Sequence, residues 1–277
     1  MRRNRTGRPG DGEADGMRVW GGKAEAGVFL GVAFVAAGVL GSAQPATGIP
    51  PEVVQLTQFG PAAGVLAVAL LWPGRIRTRL AGALPAREPG PAQGERKLWL
   101  LLTAPMVVVF AAGAYAWAHG DAVVTDPRAL GHPFTLVVAA QLVGACGEEI
   151  GWRCFLQPLL SARFGPVAAS LLVGLVWGAW HVGVFAQDPA YAAGFLVATV
   201  AMSLVLGLAL ERVRAGRLLL AGGFHTLVNL GMLLFMDEES GAVLPMVLFG
   251  AACLAAAVPW LLRTPADTIT AARRGAP

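Results

Sequence analysis

The chain has 277 residues, 56% hydrophobic and only 14% charged, with a mean hydropathy of +0.61. A soluble domain carries about 25% charged residues, so the composition excludes a water-covered globule and makes the lipid bilayer the natural partner. The net charge of +4 is small and gives no nucleic-acid signal. Cys146, Cys154 and Cys253 lack CxxC spacing and make neither a disulfide framework nor a metal knuckle.

In chain order, residues 1–23 begin MRRNRTGRPGDGEADG, which is polar, Gly-rich and aperiodic, and read as a disordered cytoplasmic tail. A membrane helix needs about 20 mostly apolar residues. Eight runs qualify: 24–43, 53–72, 98–118, 133–160, 166–186, 190–210, 218–235 and 243–262. The first run follows basic residues, as in a signal peptide, but it is long and has no convincing cleavage site, so it reads as a retained span. The fourth is longer than a span needs, and either tilts or leaves the membrane before its end.

The connections test this partition, because Lys and Arg gather on the cytoplasmic side. The tail holds Arg2, Arg3, Arg5, Arg8, Arg18 and Lys23, whereas 44–52 has no Lys or Arg. The connection 73–97, a solvated loop rich in Pro, Gly and Arg, holds six basic residues, and the next holds only Arg128, beside Asp121 and Asp126. Arg163 follows; AQDPAY (186–191) has none; Arg212, Arg214 and Arg217 follow; DEES (237–240) has none; and Arg263, Arg273 and Arg274 close the chain. The unbroken alternation predicts an all-α polytopic bundle of about eight helices over 24–263, in the cell (plasma) membrane. Both termini, including a tail over 264–277, are then cytoplasmic. No internal repeat or nucleotide-binding loop interrupts it.

An ionisable side chain at the centre of a membrane helix costs about 2.5–3.5 kcal/mol on insertion scales. The exceptions cluster in three runs: Glu148, Glu149 and Arg153 in GEEIGWRCFLQ, His181 in WGAWH, and His225 and Asn229 in FHTLVN. Glu149 and Arg153 are four apart and share a helix face, so they can pair. Glu148 is turned about 100° away and can face the bundle interior, so the two carboxylates do not read as a proton-sharing dyad. Trp177 and His181, and His225 and Asn229, repeat the interval of four. Each group has an ordinary explanation, as a helix-locking ion pair or a hydrogen bond to a neighbouring helix. A single polar cavity explains all of them together. His119 and His132, near Asp121 and Asp126, read as solvated loop residues.

EExxxR (Glu148, Glu149, Arg153), aromatic-xxx-His (Trp177, His181) and HxxxN (His225, Asn229), in that order on successive helices, resemble the CPBP family of CAAX-processing and bacteriocin-processing intramembrane proteases. The family is also called Abi and includes the type II CAAX prenyl endopeptidase. The resemblance covers about 133–235. One departure is Trp177, where the family usually has Phe. The resemblance implies an intramembrane endopeptidase acting on a membrane-associated peptide or protein, prenylated chains being one candidate substrate. Glu148 is then the general base that deprotonates water, and His181 helps hold and polarise that water. His225 and Asn229 face the developing oxyanion, and Glu149 and Arg153 form a supporting shell.

The family's metalloprotease label gives a competing version, in which zinc is held by His181 and His225 with Glu148 as third ligand or base. The sequence leaves that choice open, with the substrate and the oligomeric state. Two further readings stand beside the protease: a proton-coupled transporter, which would favour inverted repeats not found here, and a non-catalytic scaffold or immunity protein of the same fold. One feature fits poorly. Counted from the inner helix ends, His225 lies about seven residues in and His181 about fifteen, a depth difference at ~1.5 Å per residue that requires the fifth run to tilt or begin deeper.

Overall fold

The computed structural model describes residues 11–85, 94–122, 124–236 and 242–265. The first ten residues, the DEES connection and the C-terminal tail from residue 266 lie outside the described residues. Among the described residues ten α-helices run in chain order and there is no strand. Helix α1 spans Asp11–Thr47. It begins inside the stretch read as an unstructured tail, which the lack of proline between Pro9 and Pro45 permits. Next come α2 (Gly60–Leu71) and α3 (Pro73–Arg79), then α4 (Gly94–His119) and α5 (Phe134–Glu149). After α5 the chain continues through a widened π-type segment, Ile150–Leu156, into α6 (Gln157–Phe164). Helices α7 (Pro166–Trp180), α8 (Pro189–Leu210), α9 (Arg217–Phe235) and α10 (Val243–Leu262) complete the order.

Six of these helical units are long and apolar enough to cross a membrane: 22–47, 94–119, 134–164, 189–210, 217–235 and 243–262. The other two expected spans are shorter apolar helices, Leu56–Leu71 and Pro166–Trp180. In the second run the chain turns before Leu56, and in the fifth the helix stops because His181 leaves helical geometry at φ −78°, ψ 62°. The fourth run is indeed long, 31 helical residues, or about 46 Å. The chain is thus a polytopic helical membrane bundle.

Helix α8 is the most enclosed of the long helices and α1 the least. Helix α8 packs between α7 and α10, α5 lies along α9, and α4 spans α9 and α10. The α7–α8 contact depends on two glycines four apart. A Cβ on Gly174 would come within 2.7 Å of the Val200 Cα, and one on Gly178 within 2.6 Å of the Thr199 Oγ1. Small residues at this interval let membrane helices approach backbone to backbone.

Polar contacts tie the ends of the helices that carry the basic connections. Glu25 of α1 is fully buried and pairs with Arg75 at 2.9 Å and Arg79 at 2.7 Å. Arg96 donates to the carbonyls of Leu208 and Ala209 at the end of α8, at 2.6 and 2.9 Å. The backbone of Gly82–Leu84 bonds to that of Gly216–Leu218, covering the first turn of α9. Those bonds satisfy amides that a helix start otherwise leaves open.

Candidate active site

The three motifs come from the end of α5, the end of α7 and the middle of α9. Their local geometry begins with the π-type segment. Pro158 has no N–H to donate back to the carbonyl of residue 154, and its ring crowds that carbonyl. Widening the preceding turns to i→i+5 bonding relieves both, and such bulges recur at functional sites. The widened stretch starts immediately after Glu149, so the two carboxylates sit where α-helical phase ends.

Glu148 and Glu149 point to different partners, as adjacent residues on a helix must. Glu148 is 2% exposed, and its Oε2 accepts a 2.8 Å hydrogen bond from Trp177 Nε1. Glu149 is fully buried and bridges two cations or donors. Its Oε2 lies 3.4 Å from Arg153 Nε, and its Oε1 lies 2.9 Å from His225 Nδ1. Arg153 is buried too and lies over the Trp177 ring, 4.6 Å from its centroid. None of its three guanidinium nitrogens finds a hydrogen-bond acceptor among the described residues, so its contact with Glu149 is an ion pair rather than a hydrogen bond.

The two histidines meet on the Trp177 indole, with ring centroids 6.1 Å away for His181 and 5.3 Å for His225. The depth difference counted along the sequence does not keep them apart, because the packing of the bundle sets where each helix starts. His181 Nδ1 lies 2.9 Å from the Trp177 carbonyl oxygen, which can only accept. That fixes the proton on Nδ1 and leaves Nε2 as an acceptor. The ring is wedged against Trp180 and Phe195, with both centroids 4.9 Å away. Asn229 Nδ2 donates to Gln141 Oε1 at 3.1 Å, and Gln141 Nε2 donates to the Glu52 carbonyl at 3.1 Å.

Glu148, Trp177, His181, His225 and Asn229 all line one cavity of about 950 Å³. Glu149 and Arg153 do not line it; they lie in the protein behind it. The structure therefore separates the polar residues into four that reach the cavity and two that hold the others, the division expected from the spacing of the glutamates.

Three features were not foreseen. Gln141 and the Glu52 carbonyl extend the Asn229 contact. The signal for Gln141 was present, since it lies seven residues before Glu148 and so shares its helix face. His225 bonds to Glu149, an interaction across 76 positions that no local spacing reveals. Trp177 is more than an aromatic wall: its indole N–H bonds the Glu148 carboxylate, which the family's usual Phe cannot do.

For zinc, the expected set was Glu148, His181 and His225. Each imidazole has its Nδ1 engaged by an oxygen, as metal-bound histidines do. However, among the described residues no three His, Cys, Asp or Glu side chains come together closely enough to hold a metal ion. The side chains as arranged do not fit a three-ligand site.

Fold and cavity together define an integral membrane protein of the polytopic helical class, with a chamber of mixed polar and apolar lining inside its bundle. Residues 130–231 match the family model described as type II CAAX prenyl endopeptidase Rce1-like, a family of proteases. All three motifs lie inside that stretch, and the resemblance read from them is borne out there. Lysostaphin resistance protein A of Staphylococcus aureus strain MRSA252 is 24% identical over 147 residues, covering 52% of this chain and 35% of that protein. The same protein of strain Newman is 24% identical over 151 residues, with the same coverage. The aligned stretch spans about a third of the length of these curated relatives.

Proposed function

We propose that the protein is an intramembrane endopeptidase that hydrolyses a peptide bond of a membrane-associated peptide or protein. The observation that carries this reading is the convergence of Glu148, His181, His225 and Asn229 on one cavity, with Glu149 and Arg153 behind them. The match to a protease family over the same residues supports it.

In this mechanism a water sits between Glu148 and His181. The unprotonated Nε2 of His181 accepts one hydrogen bond from it and aligns it. Glu148 takes its proton as the oxygen attacks the peptide carbonyl carbon. Trp177 holds the carboxylate through Oε2, leaving Oε1 for the water. Charge develops on the former carbonyl oxygen, where the second Nδ2 hydrogen of Asn229 supplies a donor; His225, whose Nδ1 proton is directed at Glu149, adds one from Nε2 only as the imidazolium. Gln141 fixes the Asn229 amide and Glu149 fixes the His225 ring, so little reorganisation is needed as charge forms. Glu148 then returns its proton to the leaving amine, which restores the carboxylate and balances the hydrolysis. The low-dielectric wall strengthens each of these contacts.

The test is cleavage of a quenched fluorogenic peptide by detergent-purified protein, together with metal analysis of the same sample. Glu148→Gln, which keeps shape and hydrogen bonding but not basicity, should abolish cleavage while leaving the unfolding midpoint unchanged. Cleavage at the wild-type rate by this variant would end the proposal. A stoichiometric metal lost together with activity on chelation would replace the metal-free version with the zinc version.

A further inference from the structure

The cavity has a direction. Among the described residues, none of the basic connections contributes a side chain to its wall. The connections without a net basic excess contribute many: Glu52 and Gln55 before α2, Ala129 and Leu130 before α5, and Gly183 and Gln187 after α7. Within the helices the wall reaches inward only as far as Glu148, His225 and Met202. Beyond that depth the bundle is closed by Glu149 and Arg153, by Gln157 bonded to Ser170 at 3.0 Å, and by the Gly82–Leu84 backbone over the start of α9.

Charge gives that direction a side of the membrane. Among the described residues, every Lys and Arg except Arg128 and Arg153 lies in a connection or helix end on the closed side. Basic residues in short connections stay on the cytoplasmic side, so the open end faces away from the cytoplasm. The charged side chains on the wall are Glu52 and Glu148, both acidic. A wall of one sign focuses its field into the cavity and favours ligands of the opposite sign.

We propose, on the reading of this site as a protease, that the chamber opens to the non-cytoplasmic face of the membrane. Its substrate is then an exported or outward-facing peptide segment that is neutral or cationic around the cut. An acidic segment is repelled by Glu52 and Glu148. A free C-terminal carboxylate at the cut would find no Lys or Arg on the described wall to receive it. The expected substrate is therefore cut internally rather than recognised by its carboxyl end.

Two measurements test this. In a chain with Cys146, Cys154 and Cys253 changed to Ala, Gln187→Cys and Gly74→Cys each place one thiol at opposite ends. Residue 187 is exposed at the cavity mouth, and a Cβ at Gly74 meets nothing within 4 Å. In sealed right-side-out vesicles from expressing cells, a membrane-impermeant maleimide should label the Gln187→Cys chain at once. It should label the Gly74→Cys chain only after permeabilisation. The reverse pattern overturns the proposal.

Next, two fluorogenic peptides with one apolar core, flanked by Lys or by Glu, are added to right-side-out and inside-out vesicles. Cleavage is expected in right-side-out vesicles, with kcat/KM for the Lys peptide about tenfold or more above that for the Glu peptide. Cleavage from the inside-out face alone, or equal rates for the two peptides, overturns the inference and leaves the protease reading intact. No cleavage of either peptide in detergent defeats the protease reading instead, and the maleimide pattern alone then decides which face the chamber opens to.

Discussion

Glutamate 149 is the residue on which the buried polar architecture turns, and removing its charge gives a sharp test. The Arg153 side chain is 0% exposed, as is that of Glu149, and the two lie 3.4 Å apart. Since no guanidinium nitrogen of Arg153 has a hydrogen-bond acceptor among the described residues, the Glu149 charge supplies most of the compensation for that guanidinium. In Glu149→Gln the amide oxygen can still accept from His225 Nδ1, so the hydrogen bond weakens rather than disappears. The lost charge dominates, and stranding one partner of a buried pair costs about 3–5 kcal/mol. The double variant Glu149→Gln with Arg153→Met removes both charges and keeps an apolar stem over Trp177. It should recover to within about 1 kcal/mol of wild type, because apolar replacement of a whole buried pair is often neutral. Reversible unfolding in mixed micelles measures all the corners of this double-mutant cycle. Peptidase activity should not recover with stability. Loosening His225 disturbs alignment, where a displacement near 1 Å costs about a hundredfold. A single variant that loses less than about 1 kcal/mol, or a double variant no more stable than the single, would refute the pairing.

Trp177→Phe keeps the ring and deletes the 2.8 Å bond to Glu148. A hydrogen bond to a charged group is worth about 1.5–3 kcal/mol, so kcat should fall roughly ten- to hundredfold with KM little changed. Gly151→Ala would push a Cβ to 2.5 Å from Pro61 Cβ and 2.8 Å from Phe29 Cε2. Overpacking of this kind costs about 1–3 kcal/mol, visible as a lower unfolding midpoint. Gln141→Leu removes the acceptor that holds Asn229 at 3.1 Å. It should slow the chemical step in single-turnover cleavage, with a stability loss of about 1–3 kcal/mol from the stranded amide.

Much of the architecture was legible because a bilayer imposes simple rules. Continuous apolar runs marked helices, and the observed α8, α9 and α10 begin and end within a residue of the runs read for them. The second and fifth runs were drawn as full spans but form shorter helices, since hydropathy does not register where backbone geometry breaks, as it does at His181. The site residues stood out by the cost of placing charge in lipid. Their division into Glu148 towards the cavity and Glu149 towards Arg153 followed from helical phase.

The sequence alone determined that this is a helical membrane protein, which residues are too polar to be there without a purpose, and which connections carry the basic charge. Those are properties of composition and local spacing, and they follow from the solvent. Tertiary structure decided that Glu149 holds His225, that the Trp177 indole holds Glu148, that Gln141 holds Asn229, and which end of the bundle the cavity opens to. Each of those depends on contacts between helices far apart in the chain, whose relative depth and rotation are set by packing that no single segment encodes.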